Sequence, residues 1–201
     1  MTRWISATTL LMSILILPPA AQATVVMEVG LEEMTHASAV VFHGVVEHVQ
    51  VVEPADRPGA IHTEVRFRAS EILKGASHFD QSLLTISLLG GTLHGQTLHI
   101  PGMPEFATGM ETVVFLEKTS AGFALTGLHQ GLFVIDDAPE GTGERVVSQL
   151  PSGATLARHG PKGRFILGAS APLTRHHPLQ AFLKEVRHHI AAQHSQLPRL
   201  P

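Results

Sequence analysis

The chain has 201 residues, a formal net charge of −3 and 44% hydrophobic residues, against only 15% charged. A charged fraction below the usual ~25%, with that much apolar material, excludes a disordered chain, and the weakly acidic balance leaves no electrostatic footprint for nucleic acid. The absence of cysteine excludes disulfides, thiol catalysis, thiolate metal sites and acylation at an N-terminal cysteine.

Residues 1–23 read as a secretory signal peptide. Arg3 supplies the positive start, and Ile5 to Leu17 is an apolar run broken only by Ser6, Thr8, Thr9 and Ser13. Pro18-Pro19 ends the run, and Ala21-Gln22-Ala23 forms an A-x-A cleavage site. The run falls short of the roughly 18–20 residues that a bilayer-spanning helix needs, so cleavage before Thr24 is expected and no stable membrane anchor after it. Cleavage removes one base and no acid, and with them Trp4, the sole tryptophan of a chain without tyrosine. Phenylalanine is then the only aromatic left, which disfavours sugar or base stacking.

After the leader, Leu31 to Ala39 reads as a short helix with Glu32 and Glu33 in its first turn, where the macrodipole favours acids. Val40 to Val46, continued by Val49, Val51 and Val52, is apolar on both faces and suits a central strand. A turn over Pro54 to Gly59 precedes a run in which Ile61, Thr63, Val65, Phe67 and Ala69 alternate with His62, Glu64, Arg66, Arg68 and Ser70. That run has one buried and one wet face, and it closes at Lys74-Gly75. Leu83 to Leu89, Thr97 to Ile100, Thr112 to Leu116, Phe123 to Thr126 and Leu132 to Ile135 follow as short strands separated by Gly and Pro.

The pattern predicts a mainly β fold, an OB-like barrel or sandwich of short strands, with a short N-terminal helix and an amphipathic C-terminal helix. The barrel domain is expected over 24–135. Residues 136–177 read as an irregular excursion in which Val146-Val147 is the one strand candidate. Residues 178–195 read as a helix beginning at Pro178, with Leu179, Phe182, Leu183, Val186 and Ile190 facing the barrel.

The motifs point away from catalysis. There is no G-x-S-x-G and no H-E-x-x-H, and Asp136-Asp137 and Glu32-Glu33 read as a turn and a helix start. The chain holds 14 histidines. His43/His48 and His94/His99 are each five apart, a spacing that sends the rings to opposite faces of a strand, so they read as surface or cap residues rather than metal ligands. Gly90-Gly91 and Gly95 read as a hairpin with a bulge. Two groups remain as candidate ligand-binding residues: the basic row His62, Arg66 and Arg68 on one strand face, and Met103 with Phe106 in a loop expected to fold over one end of the barrel.

An ordered series of segments carries a resemblance: LEEMTHASAVVFHGVV (31–46), VRFRASEILKG (65–75), GGTLHG (90–95), PGMPEFATGMETVVFL (101–116) and GLHQGLFVI (127–135). It resembles a family of uncharacterised exported bacterial proteins. The early strands, with Ala39-Val40-Val41…Gly44 and Ile72-Leu73-Lys74-Gly75, are also similar to netrin-type domains, as in tissue inhibitors of metalloproteinases, which implies a five-stranded OB-type barrel. Those inhibitors chelate the protease zinc through an N-terminal cysteine, so that mechanism does not carry over to a chain without one. The expectation is an exported, periplasmic or secreted, non-enzymatic binding module with no cofactor, whose partner is a protein or an envelope component. The alternatives are a hydrolase or protease-associated factor with a site assembled from distant residues, and a His-rich metal-binding protein. A tight cluster of titratable groups inside one pocket would favour the hydrolase.

Overall fold

The computed structural model describes residues 25–138, 144–149, 155–159, 165–168 and 177–196, so the leader and its cleavage site lie outside the described residues. In chain order the first half comprises β1 (Val25–Met27), α1 (Leu31–Ala37), β2 (Val40–Val52), β3 (His62–Lys74), β4 (Leu83–Leu89), β5 (Gly91–Leu93) and β6 (Gln96–Leu98). The second half comprises β7 (Glu111–Thr119), β8 (Gly122–Leu125), β9 (Leu132–Asp137), β10 (Arg145–Gln149), β11 (Thr155–His159), β12 (Phe165–Gly168), β13 (His177–Pro178) and α2 (Leu179–Gln196).

The fold is mainly β, with the helices where the periodicity places them. β4, β3, β2 and β7 lie side by side, all antiparallel. At β7 the sheet forks. Its C-terminal half pairs with β8, while its N-terminal half pairs with β9, which continues into β10 and β13. The β8 branch curls until β8 packs against β4 without pairing with it, so the sheet is an open barrel rather than a closed one.

The fork explains the double-sided hydrophobicity of β2 and β7. Val40, Phe42, Val46, Val114 and Leu116 point into the barrel, where they meet Val65, Phe67, Leu84, Ile86 and Leu88. Val41, Val113 and Phe115 point the other way, into a second core with Met34, Phe133, Ile135 and Val147. Leu179, Phe182, Leu183, Val186 and Ile190 of α2 are all buried in that second core. Each such side chain contributes about 1.5–3 kcal/mol by leaving water, which is what holds the helix to the sheet. A bidentate pair from Arg187 to Glu71 on β3, at 2.7 and 2.9 Å, fixes its orientation.

Two short motifs have local causes. Gly44 lies where a Cβ would sit 2.4 Å from the Arg68 carbonyl oxygen, so no side chain fits in the β2–β3 ladder there. Lys74 donates to the Thr35 carbonyl and to the Gln193 side chain, both at 2.9 Å, tying β3 to α1 and α2. Gly75 then turns the chain with φ 79°, close against the Ala39 carbonyl.

The stretch 136–177, read from its sequence as irregular, contributes strands. β9 runs on to Asp137 and β10 extends the main sheet beneath α2. β11 and β12 form a separate three-stranded sheet with β1, which joins β11 in parallel. Gly and Pro dilute the periodic signal in this stretch, and the pairings are supplied by elements distant in sequence.

Candidate functional site

The capped end of the barrel holds a cavity of about 330 Å³. β2 and β3 form its wall through Val49, Val51 and Thr63, and β4 contributes Leu88 and Leu89. Its cap is the β5–β6 hairpin and the loop after it, with Leu98, Ile100, Met103 and Phe106 facing the space and His99 and Glu105 beside them.

The cap is built from the sequence features that suggested it. His94 and Gly95 both have positive φ, 50° and 79°, and make the two-residue turn of the hairpin. Gly90 and Gly91 hinge it to β4 with φ 114° and 130°. A Cβ on Gly91 would sit 2.8 Å from the Thr63 hydroxyl and 2.9 Å from a Val51 methyl, so glycine lets the hairpin lie directly on the wall. The Thr63 hydroxyl donates to the Gly90 carbonyl at 2.8 Å, and the Gly90 N–H donates to the Ile61 carbonyl at 2.8 Å.

The five candidate residues separate into two places. Met103 and Phe106 line the cavity and pack on the barrel core, and the Phe106 ring meets Phe67 edge-on with centroids 5.7 Å apart. Phe106 is half-buried. Arg66 and Arg68 lie elsewhere, on the outer face of the sheet, and share one carboxylate. Arg66 donates to Glu47 at 3.0 Å, and Arg68 donates to it twice, once at 3.0 Å. The Arg68 hydrogen bonds hold the Glu47 carboxyl below the usual carboxylate range. The charge that the basic row would offer an anion is therefore partly answered inside the chain. His62 keeps its place on that face but is buried, with Nδ1 2.9 Å from the Ser87 hydroxyl, and offers no open charge there.

Titratable groups also gather outside the cavity. His43 Nε2 lies 2.7 Å from Glu111 Oε1, and Arg145 donates to both oxygens of Glu111 at 3.1 and 2.6 Å. Arg145, and after it His43, hold the Glu111 carboxyl below its usual value. None of the three lines the barrel-end cavity or the second cavity described below. The His43–Glu111–Arg145 group is thus apart from both cavities.

Several of these residues escaped the reading of the sequence. Val49 and Val51 face the barrel interior only because the ladder slips between Val46 and His48, which moves the inward positions of β2 from even to odd numbers, whereas Gly90-Gly91 marked the hinge. His43, Glu111 and Arg145 carry no such signal, because nothing local links three residues on β2, β7 and β10. The histidines expected at the surface include three that are not: His43 beside Glu111, the buried His62, and the buried His129, which burial holds below the usual imidazole range.

Compared with models of known protein families and with characterised proteins, the chain matches none.

Proposed function

We propose that this protein is an exported, non-enzymatic binding module that takes a small, uncharged apolar ligand in the barrel-end cavity. The observation that carries the reading is the cavity itself, about 330 Å³ walled by Val49, Val51, Leu88, Met103 and Phe106. That size lies within the range of small-molecule sites, and a mostly apolar wall with a few hydroxyls is their usual composition. Met103 suits the role because an unbranched thioether adapts to ligand shape. The Thr63 hydroxyl, its proton given to the Gly90 carbonyl, keeps lone pairs to accept from one polar end of a ligand, and the Thr92 and Thr97 hydroxyls are paired with each other at 2.9 Å. Export rests on the leader pattern of residues 1–23, and predicts Thr24 as the first residue of protein recovered from the host's envelope or medium.

The test is titration with N-phenyl-1-naphthylamine, a neutral apolar fluorophore. Saturable one-site binding is expected, weakened at least tenfold in Phe106→Ala. Absence of saturable binding, or binding unchanged in that variant, contradicts the reading.

A further inference from the structure

A second cavity, about 280 Å³, lies on the opposite side of the sheet from the barrel interior, between the segment leading into α1, the sheet and α2. Its floor is aromatic. The rings of Phe133 and Phe182 stand 4.7 Å apart, and both contact Phe115 behind them. Met34 and Val147 complete an apolar body.

Its polar lining is Glu28, from the entering segment, Glu185, from α2, Gln149 and His177. Two carboxylates thus border the space, and no Lys or Arg is among its described lining residues. Among the described residues Glu185 pairs weakly with His189 at 3.8 Å, and its side chain is 56% exposed. The wall carrying Glu28 is fixed in place: the next residue, Val29, donates its N–H to the buried Gln130 side chain at 2.9 Å. An aromatic floor under an acidic border discriminates by charge. Both carboxylates attract a cation, while the same carboxylates repel an anion of identical shape.

We infer that this second cavity binds a small organic cation, an ammonium group on an apolar or aromatic body. The volume is that of about nine waters at ~30 Å³ each, which suits a body the size of phenylethylamine. The site is independent of the barrel-end cavity and shares no lining residue with it.

The test uses three probes with nearly the same body: 2-phenylethylammonium, 2-phenylethanol and 3-phenylpropionate. Each is titrated by calorimetry and followed by the methyl resonance of Met34. The ammonium should bind at least tenfold more tightly than the alcohol, and the carboxylate more weakly than either. The Met34 resonance should shift with saturation, and the double variant Glu28→Gln/Glu185→Gln should reduce the ammonium to the affinity of the alcohol. The inference is overturned if no probe binds, if the ammonium's advantage is under tenfold, if that advantage survives the double variant, or if binding leaves Met34 unmoved.

Discussion

The side chain of Gln130 accepts the backbone N–H of Val29 at 2.9 Å, 101 residues away in sequence, and donates to the Met27 carbonyl at 2.7 Å. One amide thereby does for the entering segment what a neighbouring strand would do, since it supplies an acceptor and a donor to alternate backbone groups. The turn that presents it is shaped for the purpose. Gly127 and Leu128 both have positive φ, 63° and 60°, and Gly131 approaches the Phe115 and Thr126 carbonyls so closely that a Cβ would sit 2.7 Å from each. The segment GLHQGL is therefore a device for aiming one buried glutamine at the N-terminal segment.

Replacing Gln130 should release that segment. Gln130→Leu leaves the Val29 N–H and the Met27 carbonyl without this partner, at an expected cost of about 2–3 kcal/mol. Gln130→Glu keeps an acceptor for Val29 but loses the donor to Met27, and should fall between. Amide exchange at Val29, together with the urea midpoint, measures both effects. Unchanged Val29 protection in Gln130→Leu would show that the segment is held by other contacts.

Acid should destabilise the protein in two stages. Burial holds His129 below its ordinary 6.5, so the folded state prefers the neutral ring. That contribution is complete above pH 6.5 and is lost as pH falls through the depressed folded value. Glu111, held below its ordinary 4.5 by Arg145 and His43, contributes fully above pH 4.5 and loses its share as pH falls further. Urea midpoints measured from roughly pH 8 to 3 should show both stages. His129→Gln should remove the upper one and Glu111→Gln the lower, the latter worth about 1 kcal/mol for a pair with solvent access. A profile that neither substitution alters would contradict these assignments.

Gly44→Ala should be among the most damaging small substitutions, because the obstacle is backbone: the Arg68 carbonyl oxygen would lie 2.4 Å from the new Cβ. Overpacking against atoms that cannot rotate away should cost about 3 kcal/mol. Gly59→Ala provides the contrast, since its Cβ would meet nothing within 4 Å and only the positive φ of 83° is strained. Thermal denaturation of the two variants should separate them clearly, and equal losses would argue against close packing at Gly44.

Much of the fold could be read before any coordinates, because the features concerned are local and periodic. The stripe Leu179, Phe182, Leu183, Val186 and Ile190 marks a helix face whatever it packs on, and the valines of β2 mark a strand buried on both sides. The outer face of β3 shows where such reading stops. Alternation correctly groups Arg66 with Arg68, but the ladder slips between Val46 and His48, and it is Glu47, the residue at that slip, whose carboxylate takes both guanidinium groups. A bulge changes the period by one residue and leaves no mark in composition. The cavity was half legible: Met103 and Phe106 were conspicuous as apolar residues in a Gly- and Pro-rich loop, whereas its walls depend on how β2, β3 and β4 curl together. The His43–Glu111–Arg145 group, with partners 68 and 34 residues apart, exists only in three dimensions.

The most direct measurement for the central claim is a methyl spectrum of methionine-labelled protein during titration with N-phenyl-1-naphthylamine. Met103 lines the barrel-end cavity, while Met34 lies in the other core, against the second cavity. The account predicts a saturable shift of the Met103 resonance, with Met34 unmoved. A shift of Met34 without Met103, or a saturable binding signal that moves neither, would contradict the assignment of the barrel end as the ligand site.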